Sequence, residues 1–162
     1  MGGEITLESE PGRGSIFHLR LPLDSRTVPA DVVQPDQARD GESLLLSVDD
    51  DPSVAPLLQK MLASHGYRVV AAASPSTAAS EARSLRPAAI LLDVLMPVRN
   101  GHDILRELKD DPLTRDIPVI VISVVDRADM PELADGHLNK PIRRDPLLRA
   151  LAEQGAAPVA RH

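Results

Sequence analysis

Five residues carry the groups from which a reaction site can be built: Asp49 and Asp50 in the run Asp49-Asp50-Asp51, Asp93 closing an apolar stretch, Ser123 closing another, and Lys140 ahead of a proline. Carboxylates held within a few ångströms repel one another, and one must take up a proton unless a cation sits among them. A hard divalent ion answers that need. Magnesium suits a set made of carboxylates, a backbone carbonyl and waters, and the chain has no Cys to favour a softer metal. A hydroxyl and an ammonium at the same rim call for an anion, so the whole set describes a site for holding a phosphoryl group on one exposed carboxylate. Taken alone, Asp93 reads equally well as a strand-end residue that caps a turn. The elements that carry the five residues decide between the two.

From Leu44 onward, strand and helix signals alternate without a break, the pattern of a parallel sheet wrapped by helices. Residues 44–48, 67–72, 88–92, 118–122 and 137–139 read as strands. The run 88–92 is apolar throughout, as befits a strand buried on both faces, and it leads straight into Asp93, Pro97 and Gly101. Between the strands, Pro52 opens a helix with Val54, Leu57, Leu58, Met61 and Leu62 at helical spacing and Gly66 as its stop. Ser74 as cap and Pro75 at the first position open a second helix, through Ala78, Ala82 and Leu85, which Pro87 ends. Ile104, Leu105 and Leu108 form the stripe of a third. Asp145-Pro146 is expected to cap a last helix that buries Leu147, Leu148 and Leu151. The expected fold is α/β, a flavodoxin-like, doubly wound, five-stranded parallel sheet of order 2-1-3-4-5. In that order the first and third strands are neighbours, so Asp49 and Asp50 converge on Asp93, with Ser123 and Lys140 at the same sheet edge.

Composition narrows the function. The chain has 162 residues and a net charge of −6, which provides no basic stripe for nucleic acid. Basic or phosphorylated partners fit better. Without Cys, disulfides and thiol catalysis are excluded. The acidic opening MGGEITLESE is no secretory signal and no segment approaches membrane-spanning length, so a cytoplasmic location and no membrane association are expected.

Residues 1–23 alternate apolar and polar side chains about a Pro11-Gly12-Arg13-Gly14 turn, a β-hairpin that lacks a second layer of its own. The pattern GGEI…S…PGRGSIF…LPL resembles the closing strands of the ATP-binding domain of sensor histidine kinases. The nucleotide-holding elements of that family have no counterpart here, so the resemblance implies a remnant without an ATP site, and Met1 is expected to be an internal Met. Residues 24–43, polar with Pro29 and Pro35, read as linker.

The segments SVDDDPSV, LLDVLMPVRNG, VIVISV and LNKPI resemble the four signature segments of the receiver domain of two-component response regulators. The resemblance spans residues 44–154, leaving 155–162 as a tail, and with the hairpin the chain resembles the end of a hybrid histidine kinase. It implies a phosphorelay role: Asp93 as phosphoryl acceptor from the phosphohistidine of a histidine kinase or phosphotransfer domain, and Ser123 and Lys140 as contacts to the phosphoryl oxygens. For magnesium it implies Asp50 and Asp93 as ligands, Asp49 through water, and the Leu95 backbone carbonyl. No kinase activity is implied, only self-phosphorylation and slow hydrolysis. Two positions depart from the family. Val124 stands where a smaller residue is usual, which implies restricted access to Asp93 and slowed turnover. His137 replaces the usual aromatic, and is expected simply to cover the sheet edge. A pseudo-receiver that binds partners without phosphorylation is the alternative, against which the complete residue set argues. An aspartyl-phosphate hydrolase would need a carboxylate where Leu95 stands. The crossover at residues 126–136, interrupted by Pro131, leaves room for little more than one helical turn. The chain is therefore expected to stay monomeric, with donor recognition falling to the helix that begins at Pro52.

Overall fold

The computed structural model describes residues 4–10, 14–20, 42–97, 100–124 and 132–158. Contacts divide the chain into two units, Met1–Gln34 and Pro35–His162. In the first, β1 (Glu4–Glu10) and β2 (Gly14–Arg20) form the expected antiparallel hairpin, Glu4 opposite Arg20 and Glu10 opposite Gly14. The turn at 11–13 and nearly all of the expected linker lie outside the described residues.

The second unit contains β3 (Ser43–Val48), α1 (Val54–Leu62), β4 (Tyr67–Ala71), α2 (Ala78–Leu85), β5 (Ala89–Asp93), α3 (Gly101–Asp110), β6 (Val119–Ser123), β7 (Gly136–Asn139) and α4 (Arg144–Glu153). The five strands form one parallel sheet in the order β4-β3-β5-β6-β7, the expected 2-1-3-4-5. Side chains of the central strands alternate between two cores. Leu45, Leu91, Ile120 and Ile122 pack with Leu58 and Leu62 of α1 and Leu147 and Leu151 of α4. On the other face Leu46, Ile90, Leu92 and Val121 pack with Ala78 and Ala82 of α2 and Ile104, Leu105 and Leu108 of α3. Every residue of β5 and of β6 is buried, and a fully buried Leu or Ile contributes about 1.5–3 kcal/mol, so the strands that deliver Asp93 and Ser123 are firmly anchored.

Element ends differ from the sequence expectation where side chains compete for the backbone. α2 begins at Ala78, not beside Ser74: Thr77 Oγ1 accepts from Ser74 N (3.1 Å) and donates to Ser74 O (2.9 Å), closing a turn over the serine and proline. Asp145-Pro146 does not cap α4, which starts at Arg144 after Arg143, and Leu148 is only partly buried while Ala150 joins Leu147 and Leu151. Ser43 belongs to β3, opposite Tyr67, and not to the linker. The segment after Gln154 is not wholly a tail, because Ala156 is buried in the first core and its N–H donates to Leu151 O (3.0 Å). Gly66, with φ 78°, stops the α1 turn as expected. In the crossover between β6 and β7, residues 132–135 are turn and coil, and residues 125–131 lie outside the described residues. The expected single helical turn beginning at Pro131 is not formed over its described residues, 132–135, where Asp135 is instead tied to β6, its N–H donating to Val119 O and its side chain accepting from Val119 N. Among the described residues no helix is long and apolar enough to cross a membrane.

Candidate phosphoacceptor site

Val48 pairs with Leu92, so the chain leaves β3 directly beside the end of β5 and sets Asp49 and Asp50 next to Asp93. One carboxylate oxygen from each of the three lies within 4.8 Å of the others. Asp51, the third of the run, does something else. Its Oδ1 accepts from the N–H (2.9 Å) and hydroxyl (2.7 Å) of Ser53, holding the approach to α1, while its own N–H donates to Asp49 Oδ1 at 2.8 Å. These Ser53 bonds hold its carboxyl below the ordinary range.

Asp93 is 5% exposed. Its Oδ1 accepts the Leu95 N–H at 2.8 Å, and its Oδ2 accepts from Lys140 Nζ at 2.7 Å. After it the chain alternates: Val94 and Met96 are buried, while Leu95 is 51% exposed. Gly101 serves this loop by closeness. A Cβ there would stand 2.4 Å from Val94 Cα and 2.5 Å from Asp93 O, so only glycine lets the start of α3 lie against the end of β5. Asn100 then caps α3, its side chain accepting from His102 N.

Lys140 is placed by the backbone, its N–H donating to Ser123 O at 2.8 Å, and the Lys140–Pro141 peptide is cis. Its ammonium also reaches Asp49 Oδ2 at 3.3 Å. Burial works against the ammonium, but its hydrogen bond to Asp93 and the charges of Asp49 and Asp93 more than offset it and hold its pKa up. Asp49 is pushed above the ordinary carboxylate range, chiefly by burial and also by Asp93, against the pull of the Asp51 N–H and Lys140. The ammonium bonds two of the three carboxylates, Asp49 and Asp93. A cavity of about 340 Å³ lies alongside, lined by Asp49, Asp50, Pro52, Ala72 and Ser74 among others.

The structure thus brings Asp49, Asp50, Asp93 and Lys140 together. Ser123 is fully buried at the end of β6, and its Oγ lies 3.2 Å from His137 Nε2. His137 does more than cover the sheet edge, which corrects the sequence expectation. The register explains it: His137 stands opposite Val121 and Asn139 opposite Ser123, so His137 and Ser123 are diagonal neighbours on one face. Val124, 69% exposed, sits at the rim. Sequence reasoning gave no role to Asp51, although D-x-S before a helix is a capping pattern, and it missed the Leu95 N–H, which no pattern of side chains reveals.

Comparison with known proteins agrees with this fold. Residues 45–152 match the family described as response regulator receiver domain. The response regulator PleD of Caulobacter vibrioides is 41% identical over 103 residues, 60% of this chain and 23% of PleD. The sensor protein TorS of Escherichia coli is 32% identical over 157 residues, 94% of this chain and 17% of TorS, so that match extends beyond the family segment into the N-terminal unit. The chain therefore spans about a quarter or less of these relatives. Among solved structures, the receiver domain of a sensor histidine kinase from Pseudomonas aeruginosa PAO1, with a magnesium ion coordinated in its active-site cleft, superposes with a TM-score of 0.60 at 29% identity, covering 70% of this chain and 98% of that one.

Proposed function

The chain belongs to the response regulator receiver domain family, and from that premise we propose that it is a phosphoacceptor in a two-component phosphorelay, with Asp93 as the residue phosphorylated. The carrying observation is the imbalance of charge at the sheet edge: three carboxylates within 4.8 Å of one another, and the Lys140 ammonium bonded to two of them, Asp49 and Asp93. A fully neutral structural cluster has no such deficit. The donor set is all oxygen, which fits magnesium, and Asp50, Asp93, the Leu95 carbonyl and, through water, Asp49 would hold it. When bound, the ion supplies neutralisation of charge on the transferring group.

The rest is work for side chains. A phosphohistidine of a kinase or phosphotransfer domain presents its phosphoryl group, an Asp93 oxygen attacks in line, the P–N bond breaks as the P–O bond forms, and the imidazole leaves with a proton from solvent. Lys140 already stands 2.7 Å from Asp93 Oδ2, where it can pair with an incoming phosphoryl oxygen. The buried Ser123 hydroxyl is the second contact, and hydrolysis through this site is slow, with Val124 at the rim restricting entry. Leu57, exposed on α1, offers the donor an apolar foothold beside the site. The TorS match, which takes in the hairpin unit, supports a hybrid-kinase setting for the whole protein. In that setting the protein works in the cytoplasm, and the domain acts as a monomer.

Acetyl phosphate with magnesium tests the reading. The intact mass is expected to rise by one phosphoryl group, and the label to disappear in Asp93→Asn. Labelling that persists in that variant sinks the assignment, and labelling that survives EDTA removes magnesium from it.

A further inference from the structure

We infer that Gln59 guards the β4 flank of the sheet: its side chain takes the place of a sixth strand and so keeps the β4 of a second copy of this chain from pairing there. β4 is the outermost strand on its side of the five-stranded sheet. Ser43 N–H donates to Gly66 O and Ala72 N–H to Ser47 O, with Ser43 opposite Tyr67 and Ser47 opposite Ala71. A parallel pair bonded in this way turns the peptide groups of every second residue toward β3, and those of Tyr67, Val69 and Ala71 away from it. These outward groups are the ones a further strand would take. Gln59 takes two of them. Its Oε1 accepts from Val69 N at 2.7 Å and its Nε2 donates to Tyr67 O at 3.3 Å. A carboxamide carries an acceptor and a donor as a peptide backbone does, so one side chain makes the two bonds that one residue of a parallel neighbour would make.

The position explains the residue type. A helix packed on a sheet is expected to bury residues at i, i+3, i+4 and i+7. In α1, Ala55, Leu58 and Leu62 are buried at three of these places, and the polar Gln59 holds the i+4 place, half-buried. One step past β4, Ala73 N–H donates to Glu81 Oε1 (3.0 Å) and Oε2 (3.3 Å), so α2 covers the same flank further along. β4 itself, Tyr67–Ala71, has neither Lys nor Pro, the residues that most often blunt an edge. A second copy is the partner that fits, because a two-fold axis sets β4 against itself, antiparallel, with the same outward groups on both sides. Tyr67 stands opposite Ser43, at the end of β3 away from Asp49, so the guard works independently of chemistry at Asp93.

The test compares the full chain with Gln59→Ala and with Gln59→Leu, which keeps the bulk of the side chain and removes both bonds. Sedimentation over a concentration series reads association, and amide hydrogen exchange reads Val69. In both variants the weight-average mass is expected to climb with concentration toward twice that of the parent. The Val69 amide is expected to exchange about tenfold faster in the dilute variants than in the parent, the size of one lost hydrogen bond, and to slow again as they associate. Folded variants that associate no more than the parent overturn the inference. Association that leaves the Val69 amide as fast as in the dilute sample also overturns it, because the contact then lies elsewhere. The parent gives a reading that needs no variant: its Val69 amide is expected to be protected like one inside the sheet, and exchange at the rate of an open chain overturns the guard directly.

Discussion

Two lysines sit at opposite edges of the same sheet, Lys109 against one carboxylate and two carbonyls and Lys140 against carboxylates alone, and they are in opposite electrostatic situations. Lys109, at the end of α3, donates to Arg115 O and Ile117 O at 3.0 Å each and to Asp135 Oδ2 at 2.7 Å. Asp135 in turn accepts from Val119 N at 2.7 Å, and its backbone carbonyl accepts from the Gln154 side chain. One cation meets one anion, and the loop from α3 to β6 is tied to the start of β7. Lys140, at the other edge, meets two carboxylates directly with a third in the cluster, and its bonds leave that cluster net negative. The closed arrangement is what structure alone requires. The open one carries a charge deficit that a cation from outside would relieve, as the proposed site requires.

The largest effect that tests this division is at Lys140. Lys140→Ala removes the ammonium that faces the phosphoryl oxygens, and labelling by acetyl phosphate in magnesium is expected to slow about 100-fold, the usual loss for one transition-state donor. A rate within a few-fold of the parent would return Lys140 to the structural class.

Lys109→Ala is the converse experiment. It leaves Asp135 and two carbonyls without their charged donor at a site where the lysine side chain is 13% exposed, and a loss of about 2 kcal/mol in unfolding free energy is expected in urea titration. The labelling rate of the folded variant should stay within about twofold of the parent, since the site lies at the far edge. A large fall in labelling would show that the two edges are not independent.

The two edges also differed in how far the sequence revealed them. At the carboxyl edge, apolar runs of strand length ended on Asp93 and Ser123, and strand adjacency alone predicted that Asp49 and Asp50 would meet Asp93. Periodicity and order sufficed there. At the opposite edge Lys109 and Asp135 carried no signal, because their partners are backbone carbonyls and an N–H whose direction depends on the finished loop. The same limit hid the Asp51 cap, the Leu95 N–H and the His137–Ser123 bond. It also misplaced the start of α2, where Thr77 competes with Ser74 for the turn. Gly101 stood out only as following Asp93 and Pro97, and its need is steric and visible only once β5 and α3 lie together.

The smallest expected effect concerns pH, and its sign distinguishes the open edge from the closed one. Asp49 has its folded pKa raised, with burial as the leading cause. A carboxyl raised on folding costs stability at pH values above its folded pKa, and that cost disappears below the unfolded value of 3.8, where both states are protonated. Lys140, also raised, contributes stability that is fully present below its unfolded pKa of 10.5 and is lost as pH rises through the folded value, so it adds no slope in the acid range. Magnesium at the proposed site would require its carboxylates unprotonated, and would relieve the Asp49 cost where that cost exists. At ten times its dissociation constant the ion should stabilise by about 1.4 kcal/mol at neutral pH. Thermal melts from about pH 8 down to about pH 4 should show this gain shrinking as protons compete at Asp49. In Asp50→Asn the gain should be small at every pH, and in Lys109→Ala it should equal that of the parent. A magnesium gain that is the same at both ends of the range would mean that the ion binds away from Asp49, and the charge deficit at the carboxyl edge would then need another explanation.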